Sequence, residues 1–264
     1  MTQEVLFDRD LLRQNRKRAA KGFVQHNFLH HEVANRIAEN VCLLDREFAN
    51  ILEIGAMDNQ LHDVMLSLSK HDSGHGLESP FDRLRVTWES CEIEEELPNT
   101  TESFDLILSN LNFHFINEIP QFLLQIKNLL KPNGVFIASF FGEENLSQLA
   151  HVLYETENEI YGGISPRMPP TIDVKTAANL FAKAGFQNPI SDFAKIEVEY
   201  SEPLNLLKDL KNMGQGNILT KRSRKFFTKE FLQKISENYR KTYATSDGGV
   251  AATFEIVTVT GWKN

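Results

Sequence analysis

The chain has 264 residues, of which 41% are hydrophobic and 24% charged, and its formal net charge is -8. This composition is typical of a folded globular protein, and the negative charge argues against general binding of nucleic acid. The two cysteines, Cys42 and Cys91, are far apart and neither belongs to a Cys-x-x-Cys pair. The sequence therefore predicts a reduced compartment and no metal site.

Neither a membrane span nor a secretory signal is expected from the sequence. The longest apolar stretch, Gly134–Gly142, has the length of a strand and is far shorter than a membrane span. The basic residues near the N-terminus are not followed by an apolar run, which is unlike a secretory signal. We therefore expect a cytoplasmic protein without a transmembrane segment.

The first half of the chain alternates helix and strand patterns. Apolar side chains at helical spacing predict a helix over residues 28–44, and a short β-rich run over residues 48–55 predicts a buried strand. A second strand is predicted for 104–110, a helix for 119–130 and a third strand for 134–141. Strands and helices that alternate with short turns are typical of right-handed βαβ units in a parallel sheet.

The second half of the chain is mainly helical. Helices are predicted over residues 144–161, 171–185, 204–213 and 228–243. Residues 196–200 and 253–262 alternate like strands and predict an antiparallel edge of the sheet. We expect an α/β fold in a single domain, residues 1–264, with an N-terminal helical segment (1–47), a ligand-binding core (48–142) and a substrate-side part (143–264).

One segment, residues 67–87, fits neither pattern. It is polar, rich in Ser and Gly, and occupies the place where a doubly wound fold has its second strand and helix. The segment resembles the peptide encoded by small palindromic repeats that insert in frame into genes of some intracellular bacteria. We predict a surface excursion with little packing.

A ligand site is predicted where the first strand ends. Parallel sheets bind ligands beyond the carboxyl ends of their strands. The first strand ends in Glu53-Ile54-Gly55, where Gly55 allows the backbone to approach a ligand closely and Glu53 is placed to hold an amino group. The alternative is a turn glycine with a solvated carboxylate.

Several short stretches share the residue pattern of one protein family. They are Phe7–Asp10, Leu52–Gly55, Ser109–His114, Leu130–Ile137, Gly162–Arg167, Asp209–Gly214 and Gly261–Lys263. In these stretches the chain resembles mitochondrial complex I assembly factor 5 and its bacterial relatives. That family is kin to the malonyl-carrier-protein O-methyltransferases of biotin synthesis. The pattern of Leu130–Ile137 is common to many methyltransferases, whereas those of Gly162–Arg167 and Asp209–Gly214 are narrower.

The resemblance implies a Rossmann-like class I methyltransferase fold and S-adenosyl-L-methionine as the cofactor. The implied cofactor-binding residues are Glu53, Gly55, Met57, Glu92 and Asn110. The cofactor loop is degenerate, because Met57 and Asn59 stand where the family has its second and third glycines. The family's acid facing adenine aligns with Ile93, which Glu92 and Glu94 flank, and its ribose-binding acid falls within 67–87.

Further candidate residues carry open alternatives. His114 follows the 104–110 strand, where several class I enzymes place a residue near the transferred methyl group, so it is the catalytic candidate; the alternative is a hydrogen-bonded structural histidine. Asn110 and Asn112 either orient a substrate or cap the next helix. Arg167 either binds a carboxylate or carbonyl of a partner from a lid formed by residues 162–167, or belongs to an ordinary turn.

Two functions follow from the resemblance. The first is an S-adenosylmethionine-dependent methyltransferase-like enzyme that modifies a protein partner, a subunit of respiratory complex I, where the family's implied reaction is hydroxylation of an arginine. The alternative is a non-catalytic assembly factor or decayed paralogue that keeps the fold. The altered loop glycines favour the alternative.

Overall fold

The three apolar runs predicted as strands form the centre of a six-stranded sheet. The computed structural model describes residues 5–44, 46–71, 86–91, 97 and 101–264. The strands are β1 (Asn50–Ile54), β2 (Thr87–Cys91), β3 (Phe104–Asn110), β4 (Leu130–Phe141), β5 (Gln187–Tyr200) and β6 (Val250–Trp262). Their order is β2-β1-β3-β4-β6-β5, in a mixed sheet whose strands are mostly parallel.

The register of the central strands confirms the predicted core. β1 pairs in parallel with β2 and with β3, and β3 pairs in parallel with β4. Leu52 lies opposite Ile107, which in turn lies opposite Phe136. These side chains are fully buried, as expected for parallel strands that are covered on both faces.

The helices predicted between residues 28 and 243 are present with small shifts at their ends, and the structure adds one over Gln60–His71 that was not predicted. The helices are α1 (Arg9–Ala19), α2 (Phe28–Cys42), α3 (Gln60–His71), α4 (Ile119–Leu129), α5 (Ser147–Tyr161), α6 (Val174–Lys183), α7 (Pro203–Asn212) and α8 (Lys229–Tyr243). Three of them begin at a side-chain cap, supplied by Asp8, Asp173 and Thr228. Within the described residues, no helix is long and apolar enough to cross a membrane.

The chain divides into two compact units. The sheet unit comprises Asn27–Phe141, Ile172–Phe193 and Val257–Asn264. The helical unit comprises the described part of Met1–His26 together with Gly142–Thr171 and Ala194–Ile256. The predicted single domain, with its divisions at residues 47 and 142, stays a prediction.

Aromatic side chains fill the sheet unit on one side of β4. Phe136 stacks on Phe181 with ring centroids 5.4 Å apart, and Phe113 lies 5.3 Å from Phe140. A Cβ at Gly261 would stand 2.8 Å from the Phe181 ring, so this position of β6 accepts only glycine without a shift. The helix α6 is thereby held close to the sheet.

The structure corrects the bounds of the excursion predicted for residues 67–87. The next strand after β1 that the structure describes is β2, which begins at Thr87, the last residue of this segment. Residue 67 belongs to α3, whose Leu61, Val64 and Met65 are buried at helical spacing. β2 lies at the edge of the described sheet and is largely exposed, which explains why its sequence is polar. The predicted excursion over residues 72–85 lies outside the described residues.

Candidate functional site

The turn after β1 depends on a glycine. Gly55 has φ +79°, a left-handed conformation that favours glycine. A Cβ at this position would stand 2.7 Å from the side chain of Asn112. The bare Cα of Gly55 therefore leaves room for the side chain of Asn112, and the predicted contact of Gly55 with a ligand stays a prediction.

Two asparagines order the carboxyl end of β3. The side-chain amide of Asn112 donates hydrogen bonds to the carbonyl oxygens of Gly55, at 2.9 Å, and of Asn110. Between them, the buried Leu111 has φ +54°, a left-handed conformation that is strained for a leucine. The Asn112 contacts hold this tight turn, so β1 and β3 end in one fixed arrangement.

Asn110 presents a buried acceptor at this site. Its Nδ2 donates to the carbonyl oxygen of His30 at 2.9 Å, which fixes the orientation of the amide. The residue is 7% exposed, and its Oδ1 has no hydrogen-bond partner within the described part of the chain. A buried acceptor without a partner is unfavourable and marks a place where a donor of a ligand or water would bind.

Glu53 supplies negative charge beside this acceptor. It is buried in β1, and Ile54 pairs with Ser109, so Glu53 and Asn110 lie at the same end of neighbouring strands. On the other side of β1, burial and then the carboxylates of Glu53 and Glu89 raise the pKa of Cys91 to about 11. The described end of β2 therefore carries a neutral thiol at pH 7. Glu92 lies outside the described residues.

The loop from Met57 to Asn59 leads directly into α3. Asp58 accepts hydrogen bonds from the Gln60 backbone at 3.1 Å and from the Asn27 side chain at 3.0 Å, and the Asn59 carbonyl accepts from Asp63. Met57 is half-buried, whereas Asn59 is exposed. The predicted crowding of the cofactor loop stays a prediction, and the burial restricts it mainly to Met57.

His114 lies among aromatic rings. It belongs to a single 3-10 turn, Phe113–Phe115, and its ring centroid lies 4.2 Å from that of Phe115 and 4.8 Å from that of Phe141. The side chain is buried. These contacts are those of a histidine that packs in the core. The catalytic role of His114 stays a prediction.

Arg167 lies in the helical unit and is bound to Glu157. Its Nε donates to Glu157 Oε1 at 2.9 Å, its Nη2 donates to the same oxygen, and Ser165 donates to both carboxylate oxygens. The side chains of Arg167 and Glu157 are only 8% and 3% exposed. This pair fastens the 162–167 loop to α5. The contact with Glu157 is therefore enough to explain the buried position of the Arg167 side chain, without a contact to a substrate. Its predicted substrate contact stays a prediction.

Cavities and metal sites add little to this picture. One cavity of about 390 Å³ is lined by Glu32, Asn35, Arg36 and Glu39 on α2. Among the described residues, no cluster of His, Cys, Asp and Glu is arranged to hold a metal ion. The predicted pocket at the carboxyl ends of β1 and β3 stays a prediction.

Comparison with known proteins identifies relatives over almost the whole chain. A methyltransferase domain family matches residues 38–138. The mitochondrial arginine hydroxylase NDUFAF5 of Mus musculus is 32% identical over 270 residues, which cover 98% of this chain and 77% of that protein. The malonyl-[acyl-carrier protein] O-methyltransferase of Gallionella capsiferriformans is 24% identical over 98% of this chain and 92% of that protein.

A solved structure supports the fold. The YcgJ protein of Bacillus subtilis superposes with a TM-score of 0.50 and 13% sequence identity, covering 89% of this chain and 99% of that one. At this identity the likeness concerns the fold alone. The overall fold is thus shared with another protein of known structure.

Proposed function

The chain belongs to the family of the mitochondrial arginine hydroxylase NDUFAF5, within the class I S-adenosylmethionine-dependent methyltransferases, and we propose that it binds S-adenosylmethionine at the carboxyl ends of β1 and β3 to modify a protein. One observation carries this proposal. The Oδ1 atom of Asn110 is a buried acceptor without a partner among the described residues, next to the strand that holds Glu53.

The residues present fit the amino-acid end of this cofactor. S-adenosylmethionine carries an ammonium group, which donates hydrogen bonds, and a sulfonium cation. Glu53 offers a buried carboxylate, and Asn110 offers an oriented acceptor. Both lie at the carboxyl ends of neighbouring strands. Both would hold the ammonium group, since a charged donor binds best to such acceptors. When bound, the cofactor supplies an electrophilic methyl group.

The protein's own contribution is to hold this site in advance. The Asn112 amide joins the turn at Gly55 to the end of β3, and the His30 carbonyl fixes the Asn110 amide. Acceptors that are already oriented need no rearrangement when a cation approaches. Because transfer from a sulfonium depends chiefly on in-line positioning, rigid placement is the main requirement.

The partner and the location are also proposals. The name of the Mus musculus relative, arginine hydroxylase, supports an arginine of a protein as the modified group. The resemblance to complex I assembly factor 5 supports a complex I subunit as that protein. We propose a cytoplasmic location, although the animal relatives are named mitochondrial.

A non-catalytic assembly factor is the second candidate function. It is favoured by the half-buried Met57 in the loop, where the family has a glycine. In this case the chain keeps the fold and a protein-binding surface while its affinity for the cofactor is lost.

Calorimetric titration with S-adenosylmethionine separates the two candidates. We expect binding to the wild type and a loss of about tenfold or more in Asn110→Leu, because a charge-assisted hydrogen bond disappears. The matched control is Asn179→Leu, on the exposed face of α6, which should bind as the wild type does. A wild type that shows no binding would refute the enzyme and leave the assembly factor.

A further inference from the structure

The outer edge of β5 has no strand beside it in the described sheet. β5 is the last strand in the order β2-β1-β3-β4-β6-β5, so only one of its edges pairs with a neighbour, β6. It has 14 residues, whereas strands in globular proteins usually have about 3–10. An unpaired edge exposes a row of backbone N–H and carbonyl groups that another strand can bind. The part of β5 in the helical unit, residues 194–200, is therefore an open template for pairing.

Side chains along this part of the edge alternate between the two faces of the strand. Ile196 and Val198 are half-buried on one face, whereas the charged Lys195 and Glu197 are exposed on the other. A charge on an edge strand usually prevents pairing, because like charges meet when a second strand arrives. Lys195 and Glu197 have opposite signs and lie two residues apart, so this edge repels a second strand in some registers and attracts it in another.

A second copy of the chain is the strand that fits this charge pattern. Two copies of one strand pair in antiparallel orientation about a twofold axis when one residue lies opposite itself. With Ile196 on the axis, Lys195 of each copy lies opposite Glu197 of the other, which gives two pairs of opposite charge. Moving the axis to Lys195 or to Glu197 sets that residue opposite itself, so like charges meet. Moving it to Val198 sets Glu197 opposite Glu199, which is also repulsive.

We propose that two copies of the chain associate through the outer edges of β5, antiparallel and centred on Ile196. Backbone hydrogen bonds then join the two six-stranded sheets into one continuous sheet. Ala194 lies opposite Val198 of the other copy, so apolar side chains meet on one face while the charged pairs form on the other. The Lys195 ammonium already pairs with Glu144 of its own chain, and both side chains are well exposed. An ammonium has three donors, which leaves donors for the carboxylate of the other copy.

Gel filtration with light scattering measures this association. We expect a species of twice the chain mass whose fraction rises with concentration. Lys195→Glu and Glu197→Lys should each weaken dimerisation about tenfold, because two attractive pairs become repulsive. The double variant restores opposite charges and should dimerise as the wild type does. Lys21→Glu and Glu237→Lys reverse exposed charges elsewhere in the helical unit; they are the matched controls and should have no effect.

Disulfide cross-linking tests the register without changing a charge. A Cys42→Ser background removes the exposed native thiol. In this background, Ile196→Cys places two thiols opposite each other at a Cα separation of about 4.5–5.5 Å, which suits a disulfide. Oxidation should therefore give a covalent dimer. Ala194→Cys is the matched control on the same face, since its two Cα atoms would lie four residues apart along the strands, about 13 Å, which is too far for a disulfide.

Several results would overturn the proposal. One is a wild type that is monomeric at every concentration. Others are single charge reversals that behave like the two controls, or a double variant that stays as weak as the single ones. Equal cross-linking of Ile196→Cys and Ala194→Cys would also contradict the pairing about Ile196. Circular dichroism verifies that each variant is folded, and the two sets of variants test the same interface through different side chains.

Discussion

Two buried polar clusters, one in each unit, differ in how completely their hydrogen bonds are satisfied. In the helical unit, the Glu157 carboxylate receives donors from Arg167 and Ser165 on both oxygens. In the sheet unit, Asn110 uses its amide nitrogen on the His30 carbonyl, while its oxygen has no partner among the described residues. A satisfied cluster stabilises the fold, whereas an unsatisfied acceptor is a cost that a ligand can remove. The comparison therefore distinguishes Arg167, whose hydrogen bonds are made within the fold, from Asn110, whose oxygen the proposed function uses.

Arg167→Met should produce the largest effect and tests the structural side of the comparison. The variant leaves a buried carboxylate without its cation, which costs about 3–5 kcal/mol of the free energy of unfolding. The matched control is Lys234→Met, since Lys234 and Glu159 form an ion pair at 3.1 Å with both side chains well exposed. That variant should lose far less stability, because solvent screens an exposed ion pair. Urea denaturation measures both, and similar losses would show that the Glu157 cluster is not special.

Acid sensitivity should reveal the same cluster with a smaller effect. Burial alone would raise the pKa of Glu157, but hydrogen bonds from Arg167 and Ser165 and the charge of Arg167 hold it below its ordinary value of 4.5. A carboxyl whose pKa is lower in the folded state adds stability above its unfolded pKa, and this stability is lost as the pH falls through the folded pKa.

The double variant Glu157→Gln with Arg167→Met isolates this contribution. Below about pH 4.5 the wild type should lose more stability than the double variant, because the variant has no carboxyl to protonate here. The pKa of Asp105 is also lowered, although burial would raise it. Asp105 is present in both proteins, so its contribution to the pH dependence cancels in the comparison. Parallel curves of unfolding free energy against pH would contradict the assignment.

Asn110→Leu should change stability little, which sharpens the contrast with Arg167. The variant removes one hydrogen bond, to the His30 carbonyl, but it also removes an unsatisfied buried oxygen. The two terms are of similar size, so the free energy of unfolding should stay within about 1 kcal/mol of the wild type. A loss of stability as large as that of Arg167→Met would show that Asn110, like Arg167, stabilises the fold.

The sequence was informative where apolar side chains recur in a regular pattern. β1, β3, β4 and α2 were predicted because parallel strands and amphipathic helices bury their apolar residues at fixed intervals. β2 escaped prediction since an exposed edge strand contains polar residues. The Glu157 and Arg167 pair was missed as well, because residue spacing alone does not show which carboxylate a turn brings to an arginine.

The candidate site was predictable only in outline. Its location followed from the general rule that parallel sheets bind ligands at the carboxyl ends of strands. The role of Asn112 against Gly55 depends on the left-handed turn at Leu111, for which the sequence offers no signal. That Asn110 Oδ1 has no hydrogen-bond partner within the described ranges likewise depends on where His30 places its carbonyl group, which binds the other end of the amide.

Glycine substitutions in the cofactor loop complete the comparison at the sheet unit. The resemblance implies glycines where this chain has Met57 and Asn59, and we expect a side chain there to crowd the cofactor. Because Met57 is half-buried and Asn59 is exposed at the start of α3, only Met57→Gly should tighten binding of S-adenosylmethionine, by up to about tenfold. Asn59→Gly serves as the matched control and should leave the affinity unchanged. Calorimetry measures both. If the wild type already binds at micromolar affinity or tighter, and Met57→Gly changes nothing, the loop is not degenerate and the case for a decayed enzyme loses its main support.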